Sequence, residues 1–327
     1  MVVITSLLLL ACNDQKSADN SVIIPANSAL CQMQDEKNLA LWNYLNDWYL
    51  WNDRLDQSTN PYAFDSLQAL LDNVKQNNPI DRWSNVSDSK KQDDFFSKGE
   101  ILSYGFEALL NESENELIVA QVYDDSDASA IGLQRGDSII SINNEPIINA
   151  IADGSLLSGE IWGPDVTGTS TFLKWQTPAN DIYSGRVQKR TVNINTVLHS
   201  SVITTVTSNI GYFVFSNFLA PSAQELDNVF DYFILQDIDE LIIDLRYNGG
   251  GSSNIANQLA TQIAGHHVQN KVFAKYFHNA NHNDENTSER FSLKDAKHVL
   301  NLDRVTFLTT KYTASASELL INALKPH

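Results

Sequence analysis

The stretch ELIIDLRYNGGG (Glu240–Gly251) limits what this chain can fold into more than any other. A strand with so apolar a centre suits a parallel sheet covered on both faces. The three glycines that follow let backbone approach something closely. Helical patterns flank it. Upstream, Ser222-Ala223-Gln224-Glu225 follows Pro221 in capping-box form, with the Ser side chain covering free helix N–H groups and Glu reaching back. Leu226, Val229, Phe230 and Phe233 then make an apolar stripe, and Ser253–Ile263 reads as a further helix. Ile210–Phe218 (IGYFVFSNF) and Val305–Thr309 read as strands, and TASASELL (Thr313–Leu320) opens a last helix. Alternating strands and helices imply an α/β layer fold.

The glycine run lacks the Gly-Lys-Ser/Thr of a phosphate loop and is not G-x-G-x-x-G, which argues against nucleotide binding. Its other use is to turn backbone N–H groups toward a developing oxyanion. TASASELL supplies the matching half. A serine where a strand meets a helix lies near free N–H groups and the positive end of the dipole. Ser315 is then a candidate nucleophile and the N–H of Ala316 a candidate donor. Read alone, Ser315 or Ser317 could equally be an ordinary helix cap.

The first half of the chain has another texture. LALWNYLNDWYLW (Leu39–Trp51) places Leu41, Tyr44, Leu45 and Trp48 on one helical face, and a second helix is expected over Phe64–Val74. DRWSNVSDSKKQDDFF (Asp81–Phe96) is charged and turn-rich. Then comes a β-rich segment: the strand Glu116–Tyr123, a short helix at Ala128–Ile131, the turn GLQRGD, and a hairpin turning at Asn143-Asn144, since Asn tolerates positive φ. The helix, the Gly-Leu-x-x-Gly-Asp turn and the I-x-x-I-N-N-E-P-I hairpin resemble a PDZ domain over residues 101–196. That resemblance implies capture of a peptide C-terminus by the loop Tyr104-Gly105-Phe106, with the peptide added as an extra strand. The loop has one glycine, and the carboxylates of Glu107 and Glu112 do not favour an anion there.

Taken together, DLRxNxGG, the later T-A-S-A-S-E, the PDZ-like segment, GYFVFSNF, W-x-x-L-x-D-x-Y-L-W and DRWS resemble the C-terminal processing (tail-specific) serine peptidases across nearly the whole chain. The resemblance implies a multidomain α+β protein. An N-terminal helical domain (31–100) and a PDZ-like β domain (101–196) would precede an incomplete Clp-protease/crotonase-like α/β catalytic domain (197–327). It implies endopeptidase cleavage of proteins or peptides with accessible C-termini. By position, Ser315 is the nucleophile, and Ala316 and Gly250 supply the oxyanion hole. Gly249, Gly251, Ser317 and Glu318 support them, while Asp244 and Arg246 are structural. The base of this family is a lysine about 25 residues beyond the serine. The chain ends twelve residues after Ser315, so the expectation is a truncated, inactive chain. Lys325 is ten residues along the same helix, or ~15 Å, too far to serve. Lys311 is expected to face solvent. No cofactor or metal is implied. His278 and His282 sit in the Asn-rich stretch FHNANHNDEN (Phe277–Asn286), which reads as a loop; they could share a ligand face only if helical, and no third ligand is evident.

Val2–Ala11 is apolar and too short to span a membrane, which takes ~20 residues. It suits a signal peptide. With Cys12 it resembles a lipobox, although no Lys or Arg precedes it, which implies residues 1–12 as a lipoprotein signal, lipidation at Cys12 and a polar tether over 13–30. The expected place is the bacterial cell envelope, facing the periplasm or the exterior, with membrane contact only through that anchor. Cys31 is left without a partner. A formal charge of −18 with no basic stripe excludes nucleic acid as partner. Two alternatives remain: a PDZ-bearing lipoprotein that binds peptides without cutting them, and a non-peptidase hydrolase that uses Ser315.

Overall fold

The computed structural model describes residues 34–111, 113–292 and 298–327. Cys12, the tether and Cys31 lie outside them. The chain forms two compact units, one of residues 1–93 with 270–291, the other of residues 94–269 with 292–327.

In the first unit, helix α1 (Gln34–Trp48) carries Asp35 and Glu36 in its first turn, where carboxylates complement the dipole. Its buried face is Leu41, Trp42 and Leu45, packed against Leu70, Leu71 and Val74 of helix α2 (Leu67–Gln76). The expected face is thus rotated. Trp42 points inward, and Tyr44 and Trp48 are only half-buried. Helix α2 starts later than its apolar pattern suggested, because the Ser66 hydroxyl accepts from the N–H of Ala69 at 3.1 Å and caps it there. DRWS is a turn organised by Asp81. Its carboxylate accepts from the N–H groups of Trp83 and Ser84 and from the Tyr49 hydroxyl at 2.9 Å.

The Asn-rich segment joins this same unit. Strands Val272–Tyr276 and Thr287–Arg290 pair antiparallel around 3-10 turns at Ala280–Glu285. Asn279 Nδ2 donates to the carbonyls of Asp47 (2.6 Å) and Tyr49 (2.9 Å), which leave the end of α1 without helical partners. His282 stacks on Trp48 with ring centroids 3.5 Å apart, its Nε2 3.0 Å from Asp47 Oδ1. His278 and His282 therefore do not share an α-helical face. Among the described residues no group of three His, Cys, Asp or Glu could hold a metal ion.

The second unit holds two sheets built around separate cores and a two-stranded ribbon. In the PDZ-like part, strands β1 (Glu100–Ser103), β2 (Phe106–Asn111) and β3 (Glu116–Val122) precede the short helix α3 (Asp127–Ala130). Strand β4 (Ser138–Ile142), helix α4 (Ile147–Ala152), and strands β5 (Ser170–Gln176), β6 (Ile182–Gln188) and β7 (Arg190–Asn193) follow. The antiparallel sheet runs β2-β3-β4-β5-β6, with Glu145–Pro146 also on β4, and β1 pairs with β7. Asn143 and Asn144 both have positive φ (51° and 68°), as the tight hairpin requires.

The α/β part continues with β8 (Val197–Thr204), β9 (Asn209–Phe215), helix α5 (Ser222–Leu235) and β10 (Glu240–Asp244). Helix α6 (Ser253–Ala264), strand β11 (Val305–Leu308) and helix α7 (Ala316–Leu324) complete it. The sheet order is β11-β10-β9-β8. The β9, β10 and β11 strands are parallel and β8 is antiparallel to β9. Phe213, Phe230, Phe233, Leu241, Ile243, Leu259 and Leu320 are buried between sheet and helices. Burying each such side chain fully stabilises the fold by roughly 1.5–3 kcal/mol.

The expected capping box at Ser222 does not form. Ser222 lies inside the helix and its hydroxyl accepts from the N–H of Leu219 and donates to Asn217 O. Glu225 instead accepts from the N–H groups of Thr196 and Val197, each at 2.7 Å, where the chain leaves the PDZ-like part. Those two amides lie at the entry to β8, and the carboxylate supplies their acceptor.

Candidate active site

Strands β10 and β11 end side by side, because they are parallel neighbours. Their two following turns are fastened together by hydrogen bonds. Thr313 Oγ1 donates to Leu245 O at 2.7 Å, and Thr310 Oγ1 donates to Arg246 O. Asn248 O accepts from the N–H of Ala314 (3.2 Å) and from Ser317 Oγ (3.2 Å). The side chain of Asn248 is wholly buried. Its Nδ2 donates to Phe215 O at 3.0 Å and its Oδ1 accepts from the N–H of Gly250 at 2.8 Å.

Two serines with the same neighbours therefore have opposite fates. Ser317 is buried and its hydroxyl is committed to Asn248 O. Ser315 is exposed and holds φ 54°, ψ −117°, outside the regions open to L-residues. Such a conformation costs on the order of 1–3 kcal/mol and persists where the surroundings enforce it. Its N–H donates to Glu318 Oε2 at 3.0 Å, which gives Glu318 a bracing role. Among the described residues no lysine or histidine is hydrogen-bonded to the Ser315 hydroxyl. Lys311 is exposed with its Nζ over the Tyr312 ring, 5.1 Å from the centroid, and Lys325 caps the far end of α7.

Gly250 lies directly against the serine. A Cβ there would stand 2.6 Å from Ser315 Cβ and 2.8 Å from Ala316 N, and φ is 107°. Only glycine allows both that approach and that backbone. Gly251 likewise meets Phe218, where a Cβ would be 2.2 Å from the carbonyl oxygen. The amide of Gly250 has a partner of its own. Its N–H is engaged by Asn248 Oδ1, so this conformation offers the N–H of Ala316 as the donor beside Ser315. Among the described residues, Ala316 N–H and the N–H groups of Gly249 and Gly251 have no acceptor.

The Asp-Leu-Arg segment braces the same turn. Asp244 is buried and takes hydrogen bonds from Arg246 Nη2 at 2.7 Å, Arg135 Nη2 at 3.0 Å and Tyr212 Oη at 3.1 Å. Burial pushes its carboxyl up, but the bonds from Arg246 and the nearby charge of Arg135 outweigh this and hold it below the ordinary value. Arg135, from the GLQRGD turn, also lies over the ring of Tyr247, 4.9 Å from the centroid. Asn248, Arg135 and Thr313 were not singled out in the sequence. Asn248 had a signal, being the Asn of DLRxNxGG before glycines, whereas Arg135 becomes legible only in space.

The PDZ-like loop is placed at the start of β2 but is closed. Tyr104 and Phe106 are buried against Trp162, with the Tyr104 hydroxyl donating to Trp162 O at 2.6 Å. The N–H of Gly105 donates to Ser103 Oγ at 3.0 Å. Buried Lys189 ties the segment behind Trp162, donating to Gly163 O, Pro164 O and Asp165 Oδ1. In this conformation no carboxylate can take the Gly105 amide without displacing Ser103.

Three protein families match separate stretches of the chain. Peptidase family S41 matches residues 209–327, which contain both turns. Residues 209–327 form an S41 peptidase domain. The Peptidase S41 N-terminal domain matches residues 36–85 and the PDZ domain residues 97–154. The chain is 27% identical over 261 residues to the carboxy-terminal processing protease CtpB of Bacillus subtilis, covering 80% of this chain and 50% of that protein. It is 20% identical over 271 residues to the "Probable CtpA-like serine protease" of Staphylococcus epidermidis, covering 83% and 50%. The chain thus spans about half the length of the curated relatives it matches. A crystal structure of an S41 protease candidate from Bacteroides fragilis superposes with a TM-score of 0.65 at 24% identity, covering 88% of this chain and 75% of that one, which supports the fold.

Proposed function

We propose that the full-length protein containing this chain is a serine endopeptidase acting on proteins recognised near their C-termini. The observation that carries this reading is Ser315. It is an exposed hydroxyl on a strained residue at the start of α7, with Ala316 N–H unengaged and the Gly250 backbone against it. In this reading Ser315 Oγ attacks the substrate carbonyl and Ala316 N–H receives the developing oxyanion. The N–H of Gly250 becomes the second donor once it leaves Asn248 Oδ1. One such donor is worth ~3–4 kcal/mol in the transition state. The step needs a general base to take the Ser315 proton, and a lysine in that role must be brought down by desolvation from its ordinary value of ~10.4. The PDZ part recruits the C-terminal tail along β2. Lipidation at Cys12 would hold the protein at the cell envelope, facing the periplasm or the exterior.

The test is cleavage of an unfolded protein substrate by the full-length protein, with free and amidated C-termini compared. The expected result is faster cleavage of the free form and loss of at least ~1000-fold in Ser315→Ala. Cleavage that survives Ser315→Ala contradicts the reading. A second reading, tail binding without cleavage, is favoured by the engaged Gly250 N–H. It predicts tail-dependent binding with no cleavage under any condition.

A further inference from the structure

Strand β2 is an edge strand that pairs with β3 on one side and with no strand on the other among the described residues. A tail added to that side would bond to its outward carbonyls and N–H groups. Ala108 and Leu110 of β2 lie in one apolar cluster with Ile151 of α4 and Trp162, which suits a tail ending in an apolar residue. The chain's own aromatic side chains already hold both ends of this strand. Trp162 packs on Phe106 at the loop end, with ring centroids 5.8 Å apart. At the far end the Tyr312 hydroxyl donates to Leu110 O at 3.3 Å.

Tyr312 belongs to the turn that leads into Ser315. That turn is closed by the N–H of Thr313 donating to Thr310 O at 3.1 Å, and Thr310 and Thr313 fasten it to Arg246 O and Leu245 O. The phenol on the edge strand is therefore three residues from the nucleophile and one residue from the threonine bonded to the glycine turn.

We propose that Tyr312 is a positioning residue that senses whether β2 is occupied. A peptide strand paired along β2 needs Leu110 O as an acceptor and must displace the Tyr312 hydroxyl. Tail occupancy and the resting position of the nucleophile turn are then mutually exclusive. This rests on the tail-recognition reading above. Its chemical requirement is an extended peptide with a free carboxylate, an apolar last residue, and enough length to run from the Tyr104 loop past Leu110.

Binding is read in the full-length protein carrying Ser315→Ala, by fluorescence anisotropy of a fluorescein-labelled ten-residue peptide ending in valine. Tyr312→Phe keeps the ring and removes the competing hydroxyl. It is expected to tighten binding about five-fold, the effect of one net hydrogen bond. In the protein with Ser315 intact, KM for the free-carboxylate substrate should fall by the same factor while KM for the amidated substrate stays unchanged. A merely structural role would lower kcat for both substrates and leave the KM ratio alone. Equal affinity of Tyr312→Phe and its parent overturns this proposal while leaving tail recognition intact. Failure of either protein to bind the peptide overturns tail recognition and this proposal together.

Discussion

Asn248 uses its carbonyl and both side-chain amide atoms in holding two turns together, and none of these groups reaches water. Asn248→Ala would leave Phe215 O and Gly250 N–H buried without partners, at about 1–3 kcal/mol each. The expected outcome is a fall of several kcal/mol in unfolding free energy by denaturant titration. Asp244 makes its contribution as an anion. Its native carboxyl lies below the ordinary 3.8, so its stabilisation is complete above that value and fades as pH falls through the native one. The stability gap between wild type and Asp244→Asn, measured by thermal unfolding, should therefore shrink below pH 3.8. Glu107 has the opposite sign. Burial raises its carboxyl above 4.5 despite the bond from the Tyr123 hydroxyl at 2.6 Å. Its contribution is complete below 4.5 and is lost as pH rises through the native value. Glu107→Gln keeps an acceptor for Tyr123 and should be more stable than wild type at neutral pH, with the difference vanishing in acid.

At the scale of elements, the decisive contact is between the turn after β10 and the start of α7. Gly250→Ala tests it. The added Cβ meets Ser315 Cβ at 2.6 Å and must also adopt φ 107°, so the turn has to separate from the serine. Loss of at least ~100-fold in cleavage is expected, with far-UV circular dichroism unchanged. These two turns were the most legible part of the sequence, because an apolar strand, a glycine run and a serine-rich helix start are local signals. Ser315 could be separated from Ser317 only through the family resemblance, and the structure gives the physical ground in burial. What stayed hidden depends on partners distant in sequence. Ser222 and Glu225 have the capping-box spacing, yet Glu225 serves Thr196 and Val197. On α1 the period predicted a face including Tyr44 and Trp48, and the core chose Trp42 instead.

For the whole molecule, the S41 match runs unbroken through residues 270–291, yet those residues pack in the first compact unit and the chain returns to the second only at Ser292. A loop reading of FHNANHNDEN could not anticipate this, since its amides act on the end of α1. Asn279→Ala should remove the two hydrogen bonds that its amide gives to the carbonyls of Asp47 and Tyr49 and speed limited proteolysis within 270–291, with little effect on cleavage chemistry. The proposed chemistry rests on one oxygen atom, Ser315 Oγ. The most direct measurement is to treat the full-length protein with a fluorophosphonate and locate the adduct by peptide mass spectrometry. A single phosphonyl group on Ser315, absent when Ser315→Ala is treated, is the predicted result. An adduct on Ser317, or on a serine outside the turn that follows β11, would contradict it.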